Sequence, residues 1–318
     1  MSGSIEFYTW GKSTDDPRGR ILNESCRLNG IGVKVIPCSR ISDKPATLAK
    51  ALIGTPDDQL IVCTDSFDVI CFGGREATVE AFESFSCDLV FGAESLCFHH
   101  LRSSIARFEE SADRGAYNYL NSGMFMGRAG ALREMLAMLA SWDAAAIEET
   151  FQESGAPGSF NDQTLFGHYA TQYPERIVLD RDARLFWNLV SDAARLDRAI
   201  EFDGMRILNR ITGTKPSYVH VTQLRDYYYP LYLQLGQRAG VALHSRNCDI
   251  AHFDRFVTRT VPYIKDYPCV IDPTLRSALE GTLSYRVLKL RQIFCNRLSL
   301  GRKWLGRKRR NLITLLRF

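Results

Sequence analysis

Two aspartates three residues apart, Asp65 and Asp68, follow directly on the apolar run Leu60-Ile61-Val62-Cys63 and Thr64. An apolar run without alternation is what a strand buried on both faces requires. In open α/β sheets, ligands bind at the carboxyl ends of such strands. Two carboxylates placed there can turn onto one divalent cation. Hard oxygen donors suit Mg2+ or Mn2+, and an added imidazole tilts the choice toward Mn2+. Such a cation can clamp a diphosphate and neutralise it while a sugar–phosphate bond breaks. A lone Asp-x-x-Asp also has a plainer reading, as a turn that caps the next element.

The elements that must position these acids can be read from pattern. Ile5–Trp10 and Gly32–Pro37 read as strands, with helices over Pro17–Asn29 and Lys44–Ile53 that end near Gly30 and Gly54. Asp88–Glu94 repeats the scheme of an apolar strand followed by an acid, and Asn121–Gly127 reads as another strand before a helix from Ala129 to about Trp142. Asn161 opens a helix with Asp162 and Gln163 in its first turn, where an aspartate alone would pass as a cap. Ser217–Val221 is a late short strand that carries His220. Short apolar strands alternating with helices predict an α/β fold with a mostly parallel sheet.

Composition narrows the class. Nine cysteines are an odd number with no Cys-x-x-Cys pair, and several sit inside apolar runs, which argues against a disulfide framework and a structural zinc site. No basic and apolar leader is evident in Met1–Glu6, so a cytoplasmic chain is expected. The formal net charge of +4 hides a division: Arg286–Phe318 holds eleven Lys/Arg and no Asp/Glu, leaving residues 1–285 at −7. An acidic body does not suit nucleic acid. The tail 283–318 interleaves its charges with Val287, Leu288, Ile293, Phe294, Trp304, Leu305 and Phe318, which predicts a basic amphipathic helical tail suited to the anionic inner face of a membrane. Residues 1–225 are expected to form the catalytic domain, and 226–282 an extension of unassigned structure.

Five blocks, in order, resemble the glycosyltransferase domain of the procollagen lysyl hydroxylase (PLOD-like) family, of GT-A type. They are Cys63–Ile70, Ala93–Phe98, Leu120–Gly127, Asn161–Phe166 and Leu179–Leu189, spread over roughly residues 5–225. The resemblance implies a GT-A, Rossmann-like nucleotide-sugar domain that moves a hexose from a UDP-sugar to a hydroxyl of a glycan, a lipid-linked glycan or a protein. It puts Mn2+, with Mg2+ as the second candidate, on Asp65, Asp68 and His220. Donor binding falls to Thr9 and Trp10 (a ring that would stack on uracil), Lys44, Thr64, Ser66, Asn121, Ser122, Gly123, Asn161 and Gln163. Asp162 and Glu94 take the catalytic places, with Phe98 near the sugar. A solvated lysine is the plainer reading of Lys44, and ordinary packing that of Trp10. The family follows its histidine with a Gly-Asn-Gly segment and a lysine; this chain reads Val221-Thr222-Gln223-Leu224-Arg225, and Arg225 is the substitute.

Other functions fit less well. A metal-dependent phosphohydrolase or nucleotidyltransferase also uses paired aspartates, but a Gly-rich phosphate loop and an Asp-x-Asp-x-Thr motif are both missing. An inactive membrane-attached module would not need Asp65, Asp68, Asp162 and His220 intact. His252-Phe253-Asp254 has the spacing of an iron dioxygenase, but no later histidine completes a facial triad.

Overall fold

The computed structural model of the chain describes residues 5–13, 19–111, 115–189, 199–222 and 229–242. Arg225, the boundary at 225, the His252-Phe253-Asp254 triplet, most of 226–282 and the whole tail 283–318 lie outside the described residues. One compact unit runs to Thr222 and takes in the chain again from Leu235; the second unit, Gln223–Gln234 and residues 244–318, falls almost wholly outside them.

In chain order the first unit begins β1 (Ile5–Gly11), α1 (Arg20–Leu28), β2 (Val33–Pro37), α2 (Lys44–Ala51), β3 (Leu60–Thr64), β4 (Val69–Cys71), α3 (Arg75–Glu83), β5 (Leu89–Glu94) and α4 (Arg102–Glu110). It continues with β6 (Tyr119–Arg128), α5 (Ala129–Ser141), α6 (Ala144–Glu153), α7 (Asp162–Gln172), β7 (Val178–Asp180), β8 (Phe186–Asn188), β9 (Ile200–Asp203), β10 (Arg206–Asn209) and β11 (Tyr218–His220). Helix α8 (Tyr229–Arg238) follows. Left-handed glycines sit past the ends of α1 and α2, Gly30 at φ +71 and Gly54 at φ +77, where a side chain would be strained.

The main sheet has the order β2-β1-β3-β6-β5-β8-β11-β4, with β7 also on β5. Pairs β1–β2, β1–β3, β5–β7, β5–β8 and β8–β11 are parallel. The expected mostly parallel sheet is therefore present, with two reversals. Strand β6 runs antiparallel between β3 and β5, and β4 runs antiparallel on β11. Both faces of the sheet are covered. Ile61 and Cys63 of β3 pack with Phe91, Phe125 and the apolar sides of α2, α5 and α7. Leu60 and Val62, one residue out of phase, pack with Phe7, Met124, Met126 and the α1 residues Leu22 and Cys26. That is why β3 reads as an apolar run rather than an alternation. Phe125, fully buried, stacks on Phe91 at 4.7 Å between ring centres, and burying a side chain of this size contributes about 2–3 kcal/mol. Strands β9 and β10 form a separate antiparallel hairpin.

Candidate functional site

The chain leaves β3 at Thr64 and turns through Asp65-Ser66-Phe67-Asp68 into β4. The Asp65 N–H donates to the Gly123 carbonyl of β6 at 2.7 Å, which ties the turn to the middle of the sheet. Strand β4 does not pair with β3. It crosses to β11 in the register Val69↔His220, and the Val221 N–H donates to the Asp68 carbonyl at 2.8 Å. Pairing therefore delivers His220 beside Asp68, although 152 positions separate them in the sequence. The His220 Nε2 lies 3.3 Å from an Asp68 oxygen and 3.9 Å from an Asp65 oxygen. One donor atom from each of the three falls within 4.8 Å of the others, a spacing that one divalent cation can bridge. The other Asp68 oxygen, Oδ1, is buried with no hydrogen-bond partner. An orphaned carboxylate oxygen is costly unless something cationic meets it, so the donor set fits a metal ion.

Lys44, at the start of α2, reaches into this cluster. Its Nζ sits 2.5 Å from Asp65 Oδ1 and 3.3 Å from Asp162 Oδ2, and 5.2 Å from the centre of the Trp10 ring. The solvated-lysine reading is thus corrected: Lys44 is only 9% exposed, because α2 points its first turn at the strand ends. Burial pulls its pKa down, and the Asp65 and Asp162 charges more than restore it, leaving a net rise. Asp162 is buried, and burial raises its carboxyl above the ordinary range while Lys44 pulls against that rise. The helix cap of α7 is Asn161, whose side chain accepts from the Gln163 N–H while the Thr164 hydroxyl returns to the Asn161 N–H. Asp162 Oδ1 shares the Gln163 N–H at 3.0 Å, and its other oxygen is the one turned to Lys44.

Beside the acids lies a buried polar cluster. Gln163 donates to Glu94 Oε1 and to the Phe98 carbonyl, each at 3.0 Å, and accepts from the Ser122 N–H at 3.1 Å. Burial pushes the Glu94 carboxyl up to about 7, against the pull of Asn121, Gln163 and the His220 charge. The His220 ring is 4% exposed; burial lowers its pKa, but Asp68, Asp65 and Glu94 bring the balance above the ordinary value. Gly123 is required by the ring, since a Cβ there would lie 2.6 Å from His220 Nδ1.

Other donor-side residues are placed differently. Thr9 is buried and spends its hydroxyl on the Thr64 carbonyl at 2.8 Å, while Thr64 and Ser66 are themselves buried. Trp10 is corrected to a core residue. It is 5% exposed, donates to Thr47 at 3.2 Å and packs near Phe125, so it offers no open face for a base to stack on. Asn188 went unassigned in the sequence, although it lies in the fifth block. It lies opposite His220 on β8 and accepts from Nδ1 at 2.9 Å.

Fold and site together define a class: an α/β domain with a carboxylate–imidazole cluster at its strand ends that could hold a cation. Residues 44–228, more than half of the chain, match the PLOD GT domain, and the chain belongs to that family. It is therefore a glycosyltransferase domain. Over 172 residues it is 27% identical to an uncharacterized protein of Acanthamoeba polyphaga mimivirus, a match covering 54% of this chain and 32% of that relative's length. Among solved structures, a glycosyltransferase involved in glycosylating the major capsid of PBCV-1 is 13% identical, with 75% of this chain and 99% of that one covered at a TM-score of 0.43. Mouse xyloside xylosyltransferase 1 is 12% identical, with coverages of 70% and 98% and a TM-score of 0.39.

Proposed function

We propose that this glycosyltransferase moves a hexose from a UDP-sugar to a hydroxyl acceptor with the help of Mn2+. The observation that carries the reading is the convergence of Asp65, Asp68 and His220 at the end of β3, with the orphaned Asp68 oxygen among them. Bound there, Mn2+ would supply charge to the diphosphate as the sugar–phosphate bond breaks. Asp65, Asp68 and His220 hold it. Mg2+ would accept the two carboxylates equally well, and the imidazole is what favours Mn2+.

Lys44 is a fixed ammonium at the N-terminus of α2, next to the place a diphosphate would occupy. Its ammonium at 3.3 Å also favours the charged form of Asp162, against the burial that raises that carboxyl. Asp162 orients the acceptor hydroxyl or takes its proton. Glu94, Gln163, Asn121 and Ser122 line a buried wall whose mixture of donors and acceptors suits the hydroxyls of a hexose. The tail 283–318 is the proposed contact with an anionic membrane, and a lipid-linked glycan is then the favoured acceptor.

A thermal-shift series tests the donor reading. Uridine diphosphate with MnCl2 is expected to raise the melting temperature, and uridine diphosphate with EDTA to leave it unchanged. Equal shifts under both conditions would remove the metal from the reading.

A further inference from the structure

We propose that Asn188 is a positioning residue that fixes the ring tautomer of His220 and so sets the metal affinity of the site. The inference rests on the metal reading of Asp65, Asp68 and His220. The His220 Nδ1 faces two amide oxygens, Asn188 Oδ1 at 2.9 Å and Asn121 Oδ1 at 3.2 Å. The backbone decides which atom of each amide is the oxygen. The Asn188 amide nitrogen donates to the Ala93 carbonyl at 3.0 Å, and Asn121 Oδ1 accepts from the Gly123 N–H at 2.9 Å. A carbonyl cannot donate and an N–H cannot accept, so neither amide can be turned without losing a buried hydrogen bond.

Nδ1 must therefore carry the proton. In the neutral ring the lone pair then sits on Nε2, the atom that faces Asp68 and Asp65. A metal-ligating histidine needs that tautomer, with its other nitrogen donating to a fixed acceptor. Asn188 is the stronger determinant of the two. It is fully buried, it lies directly opposite His220 in the β8–β11 register, and it makes the shorter contact. Gly92, beside a shift in the β5–β6 register, leaves room for it; a Cβ at Gly92 would lie 2.8 Å from the Asn188 amide nitrogen.

The test uses the full chain without nucleotide. The 15N shifts of the His220 ring at about pH 9, above the ordinary histidine range, are expected to show Nδ1 protonated and Nε2 bare. Asn188→Ala is expected to mix the two tautomers and to weaken Mn2+ alone, measured by calorimetry, by about 10- to 100-fold. Asn188→Asp keeps an acceptor and is expected to retain the tautomer and an affinity within about threefold of the parent. It should also melt earlier, since a carboxylate oxygen would face the Ala93 carbonyl. A neutral ring with its proton on Nε2 and Nδ1 bare in the parent protein overturns the proposal, as does Asn188→Ala with unchanged tautomer and unchanged Mn2+ affinity. If Asn188→Ala does not fold, the parent and Asn188→Asp spectra decide. Failure of the parent to bind Mn2+ sinks the metal reading instead, while the ring shifts still report on Asn188.

Discussion

At the scale of single residues, the site is a set of charges held out of water by its neighbours. Glu94 shows the cost. Its carboxyl is pushed from an ordinary 4.5 up to about 7, chiefly by burial. Between those values the folded protein keeps a proton that the unfolded chain has released. Stability therefore falls as pH rises through that window, and the penalty is complete above about pH 7, on the order of 3 kcal/mol. Glu94→Gln keeps the neutral shape and removes the titration. Urea unfolding at about pH 5 and pH 8, without metal, is expected to show a steeper loss for the parent than for Glu94→Gln; parallel losses would place Glu94 outside the buried wall. Lys44 gives the opposite lesson in legibility. A lysine opening a helix reads as solvated, because no local pattern reveals that Asp65 and Asp162, from two other elements, meet at its ammonium.

At the scale of elements, what was legible depended on burial. Strands β3 and β5 stand out in the sequence because both faces are covered, α5 because its periodic apolar face meets the sheet, and α7 because Asn161 marks its start. The reversal of β6 left no trace, since apolar residues in a strand say nothing of its direction. Strand β4 was hidden as well: three residues after the Asp-x-x-Asp turn are too few to show a period. Yet β4 is what carries Asp68 to His220, so the cluster was readable only through the family resemblance. The β6 segment also supplies the gap for the imidazole. Gly123→Ala is expected to push the His220 ring away, to destabilise the fold by about 1–3 kcal/mol and to weaken Mn2+ binding. Calorimetry showing parental Mn2+ affinity in that variant would mean the ring has another place to sit.

At the scale of the whole molecule, charge is divided between a body at −7 and a tail segment with eleven basic residues. Among the described residues, no helix is long and apolar enough to cross a membrane. Each basic residue near an anionic surface adds about 1 kcal/mol, which is the basis for the proposed docking of the tail. Removing residues 283–318 is expected to leave donor hydrolysis intact and to abolish co-sedimentation with anionic vesicles. Salt should weaken that binding in the full chain, since surface charge is screened over about 10 Å at 0.1 M. Aggregation of the truncated protein, with vesicle binding unaffected by salt, would point to a tail that packs on the body.

The central claim is that the chain is a metal-dependent sugar transferase acting through Asp65, Asp68 and His220. Donor hydrolysis over a panel of nucleotide sugars, with Mn2+ and with EDTA, for the parent and Asp68→Ala, tests it most directly. Turnover of a UDP-sugar by the parent with Mn2+ is expected, with a loss on the order of 100-fold or more in Asp68→Ala at a nearly unchanged melting temperature. Turnover that survives both EDTA and Asp68→Ala would contradict it.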